Sequence, residues 1–566
     1  SRKVVREYDY VPPVPGNDVW LSIDLDLQAL AEQELTTGLA AARSRTPQEG
    51  APPNVAAAGS VVAIDPQNGD LLAMASFPTY EPADFVNGIT ATQFRELTSE
   101  DNFSPILNRA IQGTYAPGST FKLITALAAL QEGVLGDAGL RRPTDLYLDT
   151  GTYTYSNCFE ESSTCLFSSP YTGGGRQVDL PASLRVSSDT YFYEIAGEGF
   201  WTRSSAPDED GLRPDEGIQL WARQLGLGSD SGLQVPYERS GAVPDRDYYD
   251  RQFDAGVFAV DGSQWFAGAT INLSIGQGEL LVTPLQLANA YATFGNGGAL
   301  HQPNVAVRVT DPDGEMVREF GPRVLRDLEI PEEFQAPIEE GLLGATMDTG
   351  GTATRVFGQA DFNVWNWPVA GKTGTAEVDL KADTSLFAAY GPVYRPGSAV
   401  APDTVPEVAL SVVMEESGFG SASAAPVAAA MATGGNMASM GLGSRFLNRV
   451  PRGFLERILP KVGSGPSEQT REKGHYTVET YTTTTTNAVL ERKLSRTGMI
   501  TTKGFRDIIE VGRRTRPQPY GMFGRFEPVV SRDLRLEVPE RMDAAGRVVV
   551  WRAAANAPRK RGDRTA

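Results

Sequence analysis

The stretch that most constrains this chain runs from Gly113 to Leu130, Gly-Thr-Tyr-Ala-Pro-Gly-Ser-Thr-Phe-Lys-Leu-Ile-Thr-Ala-Leu-Ala-Ala-Leu. Pro117 and Gly118 break the incoming chain, and the pattern predicts Ser119 at the N-cap or first turn of a helix. Behind it Phe121, Leu123, Ile124, Leu127, Ala128 and Leu130 cover most of a helical circumference, so the helix belongs inside a core. Ser119 and Lys122 stand three apart and share one face. A hydroxyl beside an amine at a buried helix start suits nucleophilic catalysis.

The rest of the composition decides what can activate that hydroxyl. The 566 residues hold only two histidines, His301 and His475, so a Ser-His-Asp triad or a histidine-ligated metal site has almost no material. No metal and no cofactor is expected. Residues 1–440 contain four lysines, Lys3, Lys122, Lys372 and Lys381. Two of them fall in short motifs, Ser119-Thr-Phe-Lys122 and Lys372-Thr-Gly-Thr375, with Ser187-Ser-Asp189 between them. With no histidine at hand the base must be Lys122, its pKa lowered by burial, by the helix start and by a second cation, for which Lys372 is the candidate. Ser187 can relay a proton to a leaving amine, and Asp189 can hold Lys122 in an ion pair. Thr373 and Thr375 can bind a substrate carboxylate, Gly374 permits close approach of substrate, and the backbone N–H groups of Ser119 and Thr375 can form an oxyanion hole.

The remaining pattern predicts an α+β fold. A helix is expected over 21–41, capped by Asp24 or Asp26. Strands Gly59–Ile64 and Asp70–Ser76 flank the turn Asp65-Pro-Gln-Asn-Gly69. One helix is expected over 181–197, another behind Thr283-Pro284 and stopped by Gly295, and a third over 330–347. Strands 305–310 and 317–320 form a hairpin around Asp311-Pro-Asp-Gly314. Strands 369–378, 385–390 and 407–416 come late, before a small-residue helix at 422–432. The late strands and the early hairpin make one antiparallel sheet of about five strands with helices on both faces, and the middle makes a mainly helical lobe with a cleft at the sheet edge. His301 and the aromatic run Tyr191-Phe-Tyr193 read as structural.

The charge is split. Residues 1–440 carry 26 Lys+Arg against 57 Asp+Glu, or −31, and residues 441–566 carry 25 against 13, or +12, which sum to the net −19. The acidic part is no nucleic-acid binder, and the split suggests two parts of different origin. Residues 1–20, with Val-Pro-Pro-Val-Pro-Gly16, read as a linker from a preceding pedestal or dimerisation domain, 21–435 as the main domain, 436–475 as a linker and 476–566 as a separate appendage. A membrane-surface segment at 444–461 is the sharper reading of its apolar and basic residues, a plain linker the blander one. Cys158 and Cys165 fit no metal or redox motif, and a loop disulfide and free thiols both remain open.

The ordered set Ser119-x-x-Lys122, Ser187-x-Asp189 and Lys372-Thr-Gly374 resembles the signature of penicillin-binding proteins and serine β-lactamases. With Leu21-Ser-Ile-Asp-Leu-Asp-Leu-Gln28, Gly59-Ser-Val-Val-Ala-Ile-Asp-Pro66, Gly113-Thr-Tyr-Ala-Pro-Gly118, Gly276-Gln-Gly278 and Thr283-Pro-Leu-Gln286, residues 1 to about 435 are most similar to class B penicillin-binding proteins of the elongation type (penicillin-binding protein 2-like). The resemblance implies peptidoglycan D,D-transpeptidation through an acyl-Ser119 intermediate, β-lactam inhibition and a part in cell shape. It also implies a glycan polymerase of the SEDS family as membrane partner, and a place at the extracytoplasmic face of the bacterial membrane behind an N-terminal anchor. A β-lactam sensor, a D,D-carboxypeptidase or a β-lactamase would use the same serine. Asp189 departs from the commoner Asn of the second motif and would raise the pKa of Lys122 unless burial or Lys372 offsets it. The stretches 482–493, 501–510 and 534–541 resemble the N-terminal region of hydantoinase/oxoprolinase A subunits. The Asp-Gly-Gly strand of that fold is lacking, so no catalytic residue carries over, and a gene fusion or a reading-frame accident is the expectation.

Overall fold

A computed structural model describes residues 16–46, 52–86, 88–156, 165–262, 265–358 and 364–439, with short strands at 499–502, 535–538, 540–542 and 548–551. The chain groups into two units, residues 1–81 with 89–459 and residues 82–88 with 460–566.

The first unit is built on one five-stranded sheet. Its strands are β1 (Gly59–Ile64), β2 (Leu71–Phe77), β3 (Ala370–Ala376), β4 (Thr384–Gly391) and β5 (Val408–Met414), in spatial order β3-β4-β5-β1-β2. Every neighbouring pair is antiparallel. The early hairpin and the three late strands therefore pair as their sequence patterns require. In β1 alternation sorts the residues, since successive side chains point to opposite faces. Val62 and Ile64 enter one apolar cluster, Val61 and Ala63 the other. Both faces are covered, which is why every residue of β1 and β4 is buried.

Helix α1 (Leu25–Arg43) covers one face through Leu27, Ala31, Leu35 and Leu39, and Asp24 caps it by accepting from the N–H groups of Asp26 and Leu27. The helix Ala424–Ser439 places Ala424, Ala425, Val427 and Ala428 in the same cluster. The other face carries α2 (Lys122–Gln131) and α5 (Pro284–Gly295), both in the larger cluster, with α3 (Leu180–Val186) and α4 (Asp189–Glu194) between them in sequence. In α2 every residue from Lys122 to Leu130 is buried, as its apolar circumference predicts. Burial of Leu123, Ile124 and Leu127 contributes about 1.5–3 kcal/mol each. Thr283 caps α5 in a reciprocal box with Gln286, and the cap at the far end is Asn296 rather than Gly295.

Two expectations are corrected. Asp18–Leu21 is not linker or helix start but a strand, paired with Ala306–Thr310 beside Met316–Glu319. The segment 181–197 is not one helix, because Ser187 takes a left-handed conformation at φ 57° and splits it into α3 and α4. Cys165 is disulfide-bonded in a chain whose only other cysteine is Cys158, which lies outside the described residues, as does the 444–461 segment.

In the second unit, Met499–Thr502 pairs in parallel with Arg535–Val538, and Glu540–Met542 pairs antiparallel with Val548–Trp551.

Candidate active site

The nucleophile turn is held against the open edge of the sheet. Gly118 sits at φ 53°, a conformation that favours glycine, and a Cβ there would lie 2.5 Å from Thr375 O. Its N–H donates to Gly276 O at 2.9 Å, so the Gly276-Gln-Gly278 stretch pins the turn from the other side. Residues Gly118–Phe121 form a 3₁₀ turn before α2 begins at Lys122. Ser119 is thus inside the turn rather than an N-cap, and the three-residue period of that turn keeps it on the face of Lys122. Tyr291 Oη donates to Thr120 O at 2.8 Å and fixes the turn to α5.

Lys122 is fully buried and its ammonium reaches the second motif. Nζ donates to Asp189 Oδ1 at 2.5 Å, to Ser187 O at 3.1 Å and to Ser187 Oγ at 3.3 Å. The break between α3 and α4 makes this possible. Asp179 caps α3 through Ala182 N–H at 2.8 Å, and Ser188 Oγ caps α4 through Tyr191 N–H at 3.4 Å. Between the two helices Ser187 turns both its carbonyl and its hydroxyl toward the amine. Residues that favour caps over helix interiors stand at the break, and this is the signal in Ser187-Ser-Asp189 that the helical reading of 181–197 passed over.

A brace behind this motif was not found from sequence. Asp149 is buried and accepts from Thr190 Oγ1 at 2.8 Å, from Gly151 N–H at 3.0 Å and from Arg176 Nε at 2.9 Å. Nothing in the local sequence of Asp149 or Arg176 marks this role, which arises only when Tyr147–Asp149 pairs with Arg176–Val178.

The third motif lies on β3, the edge strand, with Lys372 opposite Ala388, Gly374 opposite Leu386 and Thr375 opposite Ser385. Lys372 is fully buried, and Nζ donates to Thr373 O at 3.2 Å. Thr373 Oγ1 donates to Thr352 Oγ1 at 2.9 Å, Thr375 Oγ1 accepts from Gly420 N–H at 3.1 Å, and Thr375 O accepts from Gln277 Nε2 at 3.3 Å. The close approach at Gly374 is made by the protein itself. A Cβ there would lie 2.8 Å from Pro117 O and 2.9 Å from Thr120 Cγ2, so this glycine lets β3 lie against the Ser119 turn.

Burial pushes Lys122 below the ordinary lysine range and outweighs Asp189, which acts to raise it, as does Asp149; Arg176 lowers it further. Lys372 is pushed well below that range, first by burial and then by the charge of Lys122. Asp189 sets the two amines apart: it is bonded to Lys122 and supports that charge against burial, while Lys372 has a neighbouring carbonyl as its partner.

Lys122, Ser187, Asp189 and Lys372-Thr-Gly-Thr375 are thus brought together around the turn that bears Ser119. Asp65 and Asn68 accept from turn N–H groups, His301 pairs within a two-stranded sheet, and Tyr191, Phe192 and Tyr193 are core.

The family described as the penicillin-binding protein transpeptidase domain matches residues 59–433, and the hydantoinase/oxoprolinase N-terminal region matches residues 456–556. The peptidoglycan D,D-transpeptidase MrdA of Escherichia coli K12 is 29% identical over 425 residues, covering 74% of this chain and 58% of that protein. The peptidoglycan D,D-transpeptidase PbpA of Mycolicibacterium smegmatis is 30% identical over 380 residues, 65% of each chain. The crystal structure of Pseudomonas aeruginosa PBP2 in complex with WCK 5153 superposes with a TM-score of 0.57 at 28% identity, over 75% of this chain and 77% of that one. A peptidoglycan synthase complex that coordinates polymerization and crosslinking contains a chain with a TM-score of 0.58 at 29% identity, over 76% and 64%. This chain spans somewhat over half the length of MrdA.

Proposed function

We infer that this chain, which belongs to the transpeptidase family of the penicillin-binding proteins, is a peptidoglycan D,D-transpeptidase whose nucleophile is Ser119. The observation that carries this reading is the placement of Lys122, a fully buried amine bonded to Ser187 and Asp189 at the foot of the turn that bears Ser119.

In this reading the stem peptide lies along the open edge of β3 as an added strand, bonded through the backbone. Ser119 Oγ attacks the carbonyl carbon of the penultimate D-alanine while Lys122 takes the hydroxyl proton. The N–H groups of Ser119 and Thr375 hold the tetrahedral oxyanion. Collapse breaks the peptide bond, and the proton passes from Lys122 through Ser187 to the departing D-alanine amine. Thr373 and Thr375 hold the terminal carboxylate. An acceptor amine on a neighbouring strand then attacks the ester, and its proton returns to Ser119. A β-lactam enters the first step and stops there.

The chemistry places the enzyme at the extracytoplasmic face of the bacterial membrane, where its polymer is, and the disulfide at Cys165 suits an oxidising compartment. The similarity to a chain from a complex that couples polymerization to crosslinking supports a membrane glycan polymerase of the SEDS family as partner. The division into a transpeptidase domain from the strand Asp18–Leu21 to the helix Ala424–Ser439, a linker and a separate appendage belongs to the same proposal.

Labelled penicillin is expected to form a long-lived acyl-enzyme, with the label on the peptide containing Ser119 by mass. Label elsewhere, or none, overturns the assignment. Asp189→Asn is expected to keep acylation at neutral pH within about tenfold of wild type. Asp189 acts to raise the pKa of Lys122, so its neutral replacement leaves more free amine, and the rising limb of the pH–rate profile moves to lower pH. Near-total loss of labelling by a fluorescent penicillin would refute this.

A further inference from the structure

The two sides of the oxyanion pocket belong to segments far apart in sequence, the turn at Ser119 and the strand at Thr375. A short connection outside both motifs ties them together. Glu415 follows β5 and accepts at one oxygen, Oε1, from Tyr115 Oη at 2.8 Å and from Arg109 Nε at 2.8 Å. Tyr115 is four residues before Ser119, and its backbone is clamped to Val282, the N–H of each donating to the carbonyl of the other at 2.9 Å. Arg109 is buried, and Nη2 donates to Phe103 O at 2.6 Å.

From Glu415 the chain runs five residues to Gly420, fastened along the way. The N–H of Glu415 donates to Ala58 O at 2.9 Å, and those of Ser417 and Gly418 donate to Asp383 O at 2.9 and 3.0 Å. At its end the N–H of Gly420 donates to Thr375 Oγ1 at 3.1 Å. A Cβ on Gly420 would lie 2.2 Å from Gly374 O, so the segment is pressed against the backbone of β3.

We propose that Glu415, through its bond to Tyr115 and the segment 415–420, is a positioning residue that sets the separation of the Ser119 turn from the Thr375 edge of β3. The role rests on the transpeptidase reading of the cleft. Glu415 lies behind the pocket and acts through Tyr115 at one end and Gly420 at the other. Donors aimed at a developing oxyanion must be held within a fraction of an ångström. A strut with both ends hydrogen-bonded adds that constraint to the direct packing of Gly118 and Gly374 between the two segments.

The test uses the whole chain and separates reversible β-lactam affinity from the acylation rate constant by stopped-flow. Tyr115→Phe removes one hydroxyl and leaves Glu415 paired with Arg109. We expect its acylation rate constant to fall about tenfold with affinity changed by less than about twofold. Glu415→Gln keeps an acceptor oxygen for Tyr115, and its rate is expected to stay closer to wild type than that of Glu415→Ala. Tyr115→Phe added to Glu415→Ala should cost nothing further, because the two share one interaction. Full additivity, or a Tyr115→Phe rate constant equal to wild type, overturns the proposal. If wild-type protein is not acylated at Ser119, the transpeptidase reading fails instead, and the two failures are distinct.

Discussion

Lys122→Ala is expected to slow acylation of Ser119 by a fluorescent penicillin about 10²–10⁴-fold, the range for a positioned proton acceptor. A neutral serine hydroxyl is a poor nucleophile, and Lys122 is the buried amine on its helical face. The substitution also strands Asp189, which pairs with Lys122 at 2.5 Å, and loss of one partner of a buried pair costs about 3–5 kcal/mol. A fall in labelling could then report unfolding. The double variant Lys122→Ala with Asp189→Asn removes the orphaned charge. It is expected to recover most of the lost stability and none of the lost rate. Recovery of acylation in the double variant would show that Lys122 acts as a structural counter-ion and not as the base. For wild type the sign of the pH dependence follows from burial. Because Lys122 lies below the ordinary lysine range, the rate should rise with pH along a limb that sits lower than an exposed lysine would give.

The parts of this site that were legible in sequence are those set by local chemistry. The Pro117-Gly118 break, the apolar helix behind it, the hairpin turn at Asp65–Gly69 and the Thr283-Pro284 cap each depend on a few adjacent residues. The five strands were legible because alternation and runs of buried residues survive in a single segment, and pairing the late strands with the early hairpin closes the sheet. The brace of Asp149 and Arg176 and the strut from Glu415 to Gly420 were not legible. Their meaning lies in contacts between segments apart in sequence, 27 residues for Arg176 to Asp149 and 306 for Arg109 to Glu415, with no spacing rule to betray them. The break at Ser187 falls between the two cases. Two serines and an aspartate inside a helical pattern are a capping signal, but the hydrophobic period on either side of them argues for one continuous helix, and tertiary bonding to Lys122 decides for two. The ion pair of Lys122 with Asp189 was legible from the motifs, whereas the part of Arg176 in the charge balance of Lys122 was not, because Arg176 is brought to the site only through Asp149.

Lys372→Met is expected to make the protein more stable and nearly inactive at once. Lys372 is buried completely inside β3, and its ammonium donates to the carbonyl of Thr373. Its pKa is driven well below the ordinary range by burial and by Lys122, which means that the folded protein opposes its charge. The unfolded chain holds that proton up to a pKa of about 10.4. Between the two values the unfolded state binds more protons, so this residue makes wild-type stability rise with pH and penalises folding most at low pH. Methionine fills the same space without the charge, and replacing buried ionisable groups by apolar ones of similar volume gains up to about 1–4 kcal/mol. Urea titrations at about pH 7 and about pH 10 should show a gain for Lys372→Met that shrinks as pH rises toward the unfolded lysine value. Acylation should fall about 10²–10³-fold, the size of effect expected when a preorganised charge beside the proposed base Lys122 is removed. A variant that is less stable than wild type at about pH 7 would contradict the burial argument, and one that is more stable but fully active would remove Lys372 from the mechanism. The combination of gain and loss is the mark of a charge retained for chemistry at the expense of the fold.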